Sequence, residues 1–225
     1  MSDFAHPLPS INLTVDVIIF TVSGGSLKVL VIRRQTDPFK GSLALPGGYL
    51  QANELAVATA HRVLFDKAGV RPPFVEQLYT FDGLKRDPRG RLVSIVYYAL
   101  ISEASLQLST GSDAQEPTLM SVSELPDLAF DHAEMIDYAK KRLQSKLEYT
   151  NAVFSLLPDR FTYAALQQTY EAILGRGLDK RNFQKKFNSL GLIEATEETT
   201  SGGKHRPARL FKFKDSKPTE LKKFF

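Results

Sequence analysis

Apolar and β-branched residues crowd two early runs, 11–20 (INLTVDVIIF) and 27–34 (LKVLVIRR), on either side of the turn-forming TVSGGS. The pattern predicts a β-hairpin. GSLALPGG at 41–48 reads as a short strand and a glycine-proline turn, and a helix is expected from about Asn53, a good N-cap, to Lys67, with Gly69 as its stop. Two more strand-like runs, 77–83 and 91–101, flank the cation-rich loop LKRDPRG, and another short strand is expected near 118–122. A second helix should begin at about Asp131, placing Ala133, Ile136, Ala139, Leu143 and Leu147 on its apolar stripe and Lys140, Lys141 and Arg142 on its polar face. Strands enclosed by two helices make an α/β architecture.

The pattern changes after about Tyr149–Asn151. Residues 161–174 carry Leu166, Tyr170, Ile173 and Leu174 at i, i+4, i+7 and i+8, a helical stripe. A glycine turn leads to Asp179, a helix cap, and the next helix sets Phe183, Phe187 and Leu190 against Arg181, Lys185 and Asn188 on another face, ending at Gly191. Two strands then bracket a basic, glycine-rich loop. Helix, turn, helix, hairpin is the winged helix-turn-helix pattern, in which the second helix enters the DNA major groove. Arg181, Asn182, Lys185 and Lys186 on that helix, with Lys204, His205 and Arg206 in the wing, are the candidate DNA contacts, arginine suiting base edges and lysine phosphates. The rival reading is a solvated basic face or a protein-docking module. No Pro/Gly/Ser linker separates residues 1–150 from 151–225, so the two domains should be rigidly coupled.

Charge sharpens this division. The overall net charge is +4, but residues 151–225 hold 14 Lys and Arg against 8 Asp and Glu, whereas residues 1–150 hold 15 against 17. A basic small domain beside a mildly acidic one points to a polyanionic partner. The chain of 225 residues has no cysteine, which excludes disulfides, thiolate metal sites and a cysteine nucleophile. No run is long and apolar enough for a membrane span, and MSDFAHPLPS is not a signal peptide, so a cytoplasmic address is expected.

The stretch GGYLQANELAVATAHRVLFDKAGV, residues 47–70, resembles the Nudix box, the signature of hydrolases that cleave nucleoside diphosphates linked to another moiety. Gly48, Glu54, Arg62, Leu64 and Gly69 keep its frame, and the resemblance implies an α/β/α Nudix sandwich. At the positions where the family carries metal-binding acids, however, stand Val63, Asp66 and Lys67. Valine offers no oxygen ligand and a lysine opposes a cation, so neither metal nor catalysis is expected. The i, i+3, i+4 spacing of these three places them on one helix face.

With both halves considered, LPGGYLQANE, KRDPRGRLVSIVYYAL, AFDHAEMI, LDKRNFQKKF and GGKHRPARLFKF together resemble the Nudix-related transcriptional regulators of NAD metabolism. The resemblance implies a homodimeric repressor of NAD biosynthesis or salvage genes, bound to a palindromic operator through two half-sites and released by ADP-ribose, with no cofactor. A diphosphate held without metal needs fixed cations and close backbone, for which Arg33, Arg34, Arg86, Arg89, Arg91 and Lys67, with Gly47 and Gly48, are candidates. Plainer readings stand beside these: Arg62 and Glu54 as loop braces, the DPRG arginines as ordinary surface residues, and His132 as structural. Tyr97 and Tyr98 alternate on a strand, so at most one can face a ligand. Two alternatives remain open at this stage: a residual hydrolase using Glu54 and Asp66, and the same repressor architecture responding to a sugar.

Overall fold

The computed structural model describes residues 10–69, 74–106, 117–200, 207–215, 217 and 219–221. The expected hairpin is β1 (Asn12–Ser23) and β2 (Ser26–Arg33), paired antiparallel from Phe20↔Val29 to Ser23↔Ser26. They join β3 (Leu43–Ala44), β4 (Gly47–Tyr49), β5 (Val75–Phe81), β6 (Leu92–Leu100) and β7 (Pro117–Ser121) in one seven-stranded sheet of order β3-β2-β1-β6-β5. Off that path, β4 pairs with β1 and β7 with β2. The parallel β1–β6 pair lies at the centre. Val15 to Phe20 are buried without interruption because both faces of this strand are covered, as a central parallel strand requires.

Helix α1 (Ala56–Ala68) covers one face, packing Ala60, Val63 and Leu64 against Val15, Val17, Ile19, Tyr97 and Ala99. Helix α2 (His132–Lys146) covers the other, with Met135, Ile136, Ala139 and Leu143 against Ile18, Phe20, Val96 and Tyr98. Burying each such aliphatic side chain stabilises the fold by about 1.5–3 kcal/mol. Tyr97 and Tyr98 point to opposite cores, as the alternation demands, and both are buried.

The helix boundaries hold the main corrections. Asn53 is not the cap of α1, which begins three residues later behind Leu55 without a side-chain cap. The preceding residues form a turn closed by Glu54 N–H donating to Gln51 O, and the Glu54 carboxylate is taken by Thr59 and Arg62. Gly69, at φ 66°, does end the helix by donating to Phe65 O. On α2, Ala133 is exposed and Met135 takes its expected place in the core. Val63, Asp66 and Lys67 lie along one side of α1, as their spacing requires, but that side runs from core to solvent: Val63 is buried under the sheet, Asp66 is exposed and Lys67 is half-buried.

Beyond α2, a buried 3-10 turn (Ala152–Leu156) leads into α3 (Tyr163–Leu174), which starts two residues after Phe161 because Thr162 caps it by accepting from Ala165 N–H. Helix α4 (Lys180–Ser189) is capped as expected, Asp179 accepting from Asn182 N–H. A hairpin of β8 (Ile193–Thr199) and β9 (Arg209–Phe213) follows, and Phe161 joins Phe211 through an isolated antiparallel bridge. Phe161, Tyr163, Tyr170, Phe183, Phe187, Phe211 and Phe213 pack ring on ring into the centre of this unit.

Its core is continuous with that of the sheet. Leu166, Tyr170 and Ile173 of α3 belong to the same apolar cluster as Phe20, Leu27 and Val29 of the first hairpin. Gln144 of α2 donates to the Ile173 carbonyl at 2.9 Å, satisfying an acceptor in the last turn of α3. The Asn151 side chain accepts from Thr219 N–H and donates to Lys217 O, tying the C-terminal tail to the junction.

Candidate functional site

A cleft of about 300 Å³ opens where β1, the end of β2, β4, the loop after β5 and the segment before α2 meet. Its lining includes Thr14, Asp16, Arg34, Gly47, Gly48, Tyr49, Arg86, Asp87, Arg89, Phe130 and His132. Strand alternation decides which arginine of the Arg33-Arg34 pair enters: Arg34 lines the cleft, and Arg33 instead donates to Gly41 O at 2.8 Å. Gly47 must be glycine, since a Cβ there would fall 2.0 Å from Asp16 Oδ1. At Gly48 a Cβ would meet Val63 and Arg62 only at ordinary contact distances of 3.6 and 3.7 Å.

Each cleft arginine is held by partners that leave it further N–H donors. Arg34 donates to the Pro38 and Thr36 carbonyls at 2.8 and 3.2 Å. Arg89 grips Asp87 through Nε and Nη2 at 3.0 and 2.6 Å, which holds the Asp87 carboxyl below its ordinary range and raises Arg89 in turn. Arg86, whose side chain is only 4% exposed, forms a fork with Asp131 at 2.9 and 2.8 Å and stands 4.0 Å from Asp16. Asp131 occupies the N-cap position of α2, and its carbonyl accepts from Met135 N–H at 3.2 Å, yet its side chain accepts nothing from that helix's amides.

Arg34 and Arg89 lie against the same ring, their Cζ atoms 4.7 and 5.6 Å from the Phe130 centroid. Burial lowers the pKa of Arg34, and the charge of Arg89 lowers it further. Two like charges against one aromatic ring form a place where an anion relieves repulsion. Phe130 itself holds φ 56°, a left-handed conformation that costs a non-glycine residue about 1–3 kcal/mol and concentrates at working sites. His132 is fully enclosed. Its Nδ1 accepts from Leu45 N–H at 2.9 Å, so the proton sits on Nε2, and burial pushes its pKa down.

Three expected ligand residues are not brought here. Arg33 is turned away, Lys67 is not among the lining residues, and Arg91 lies outside with its Nη1 on the Asp82 and Gly83 carbonyls. The cleft instead recruits Asp16, Tyr49, Asp87 and Phe130, none of which the sequence reading named. Asp16 had a signal, a lone acid within an apolar strand. It is buried and accepts from Ser94 Oγ at 2.5 Å.

The retained Nudix pair serves as a brace. Arg62 donates to both Glu54 oxygens at 3.0 and 2.9 Å and to Tyr49 O at 3.3 Å, and Thr59 donates to Glu54 at 2.7 Å. The Arg62 and Thr59 bonds lower the Glu54 pKa to about 2. A divalent cation does not fit this donor set: Glu54 is committed, Val63 is buried and Lys67 is cationic. Among the described residues no group of three or more His, Cys, Asp or Glu converges as metal ligands.

On α4, Arg181, Asn182, Lys185 and Lys186 are all exposed, opposite the buried Phe183 and Phe187. Lys204, His205 and Arg206 lie outside the described residues. Tyr163 donates to Asn188 Oδ1 at 2.6 Å, bracing α4 against α3. No helix is long and apolar enough to cross a membrane among the described residues.

Fold and site define a class, a Nudix domain joined to a winged helix. Residues 12–139 match the NUDIX domain, and residues 153–213 match the NrtR DNA-binding winged helix domain. Over 215 residues, 94% of this chain and 84% of the relative, the sequence is 40% identical to the ADPR responsive transcriptional repressor NtrR of Acinetobacter baylyi. Over 114 residues, 50% of this chain and 66% of the relative, it is 36% identical to an ADP-ribose pyrophosphatase of Methanocaldococcus jannaschii. The crystal structure of Shewanella oneidensis NrtR complexed with a 27mer DNA is similar at a TM-score of 0.80 and 33% identity, covering 90% of this chain and 93% of that one. The NUDIX domain of the same protein complexed with ADP ribose matches at a TM-score of 0.53 and 36% identity, over 60% of this chain and 90% of that one. The chain belongs to the NrtR family.

Proposed function

We propose that this chain is a transcriptional repressor that binds operator DNA through α4 and the wing and is released when ADP-ribose enters the Nudix cleft. One observation carries the reading: Arg34 and Arg89 converge on the Phe130 ring, with Arg86 beside them, in a cleft whose donor set suits a diphosphate rather than a divalent cation. Relatives named for ADP-ribose response and solved with DNA or ADP-ribose support the same pairing of ligand and partner. A sugar effector would leave these paired guanidinium charges without a counter-ion.

The effector-binding part spans residues 1–150 and the DNA-binding part 151–225. A homodimer presents two recognition helices to half-sites of a palindrome about 34 Å apart, so a small rotation breaks simultaneous contact. A coupling of about 1–3 kcal/mol changes DNA affinity about 5- to 150-fold. The target genes serve NAD biosynthesis or salvage, and the site of action is the cytoplasm.

Hydrolysis of ADP-ribose is the second reading, favoured by the similarity to the pyrophosphatase. Calorimetric titration with ADP-ribose in chelator, followed by a turnover assay with Mg2+ or Mn2+, separates the two. Binding in chelator with no turnover supports the sensor. Metal-dependent turnover lost in Glu54→Gln supports the enzyme.

A further inference from the structure

We propose that Asp131 is the positioning residue that passes effector binding to the DNA-binding half, by exchanging Arg86 for the N-terminus of α2. The inference rests on ADP-ribose occupying the cleft described above.

Asp131 stands where a helix cap belongs, one residue before His132, and aspartate is among the best residues for that role. It does not perform it. Its φ and ψ of −97° and 21° are not those of a capping residue, and both carboxylate oxygens are taken by Arg86 at 2.9 and 2.8 Å. The first turn of α2 is therefore left without its side-chain cap. Arg86 in turn lines the effector cleft. A diphosphate arriving there competes with Asp131 for the same guanidinium, and the released carboxylate has ready partners in the Ala133 and Glu134 amides.

The neighbouring backbone is poised for this exchange. Phe130, which precedes Asp131, is held at φ 56°, and its ring carries Arg34 and Arg89, the other two cleft cations. Ligand contact with those guanidinium groups thus bears on the segment that must turn for Asp131 to cap. At its far end α2 reaches the DNA-binding half. Gln144 holds the Ile173 carbonyl of α3, and Leu143 and Leu147 lie in the core shared with Leu166 and Tyr170. The helix spans about 20 Å from Asp131 to Gln144, so a change of pose at its start is delivered to α3 rather than absorbed in a loop.

The test uses the full chain, Asp131→Asn and Arg86→Gln, with ADP-ribose as ligand and a labelled duplex from upstream of the chain's own gene. Hydrogen exchange at the amides of Ala133 and Glu134 is expected to slow when ADP-ribose binds the unaltered chain. In both variants it should be slow already, because asparagine also caps well and because removing Arg86 frees Asp131. The ratio of DNA dissociation constants with and without ADP-ribose should fall from about 5 or more to below about 2 in both. ADP-ribose affinity should move in opposite directions, rising in Asp131→Asn, where the competitor is gone, and falling in Arg86→Gln. A merely structural ion pair would shift both the same way. Unchanged exchange at these amides on ligand binding, or an unaltered ratio in Asp131→Asn, overturns the exchange. If ADP-ribose fails to bind the unaltered chain, the proposed function falls, and the relay with it. If it binds and slows these amides without weakening DNA binding, the exchange occurs at α2 but does not reach the DNA-binding half, and the proposal is overturned.

Discussion

Arg34 and Arg89 lie against one phenyl ring, and the charge of Arg89 helps lower the pKa of Arg34. Two cations held this way are a preorganised anion site, because the cost of bringing them together is met in folding rather than at binding. Replacing either with alanine is expected to weaken ADP-ribose by about 1.5–3 kcal/mol, the range for a hydrogen bond to a charged group. Calorimetry on the single and double variants checks this. The two losses should not add, since removing one cation also relieves the other.

The Glu54–Arg62 pair keeps the loop between β4 and α1 in place through Tyr49 O. Because the carboxylate is committed to that bond, Arg62→Ala should loosen the wall of the cleft that carries Tyr49. The expected result is weaker ADP-ribose binding with no gain in metal-dependent turnover. An assay for AMP and ribose 5-phosphate formation beside the titration reads both.

His132 sets a pH dependence. Its folded pKa lies below the ordinary 6.5, so below that pH the unfolded chain takes up a proton that the folded chain refuses. Stability is therefore full above pH 6.5 and declines as pH falls toward the folded value, with a slope of up to about 1.4 kcal/mol per pH unit. The carboxylates with lowered pKa values, Glu54, Asp87, Glu171 and Glu194, add their losses only further into acid. Urea unfolding of the chain and of His132→Gln between pH 7 and about 5 should show the slope in the former and its reduction in the latter.

Much of this molecule was legible in its hydrophobic pattern. The hairpin of β1 and β2, the strands β5 to β7, the Gly69 stop and the Asp179 cap follow from local rules, and local rules held there. Errors arose where a tertiary partner outbid a local one. Asn53 and Asp131 are both good caps by residue type, but neither caps its helix, and Asp131 is drawn away by an arginine 45 positions distant. Among the candidate cations, composition pointed to a basic ligand site without saying which arginines converge. For Arg33 and Arg34 strand alternation could have shown that only one enters, whereas Arg91 was excluded by a loop conformation no spacing rule describes. Phe130 was beyond reach because its role depends on a left-handed backbone.

On the DNA side, α4 presents Arg181 on its exposed face. Arg181→Ala is expected to cost about 1–3 kcal/mol of specific binding and to relax the preference at one base position. Asp179→Ala, which removes the helix cap, should lower stability by about 0.5–2 kcal/mol with little change in sequence preference. Anisotropy with cognate and scrambled duplexes, together with thermal unfolding, tells these effects apart.

The most direct test of the whole account is the affinity of the full chain for duplex DNA upstream of its own and neighbouring NAD-metabolism genes, measured by fluorescence anisotropy at fixed salt with and without ADP-ribose. Salt is held constant because phosphate contacts make such affinities strongly salt-dependent. The account requires tight, sequence-selective binding that ADP-ribose weakens about fivefold or more. Selective binding that is indifferent to saturating ADP-ribose, or no selective binding at all, contradicts it.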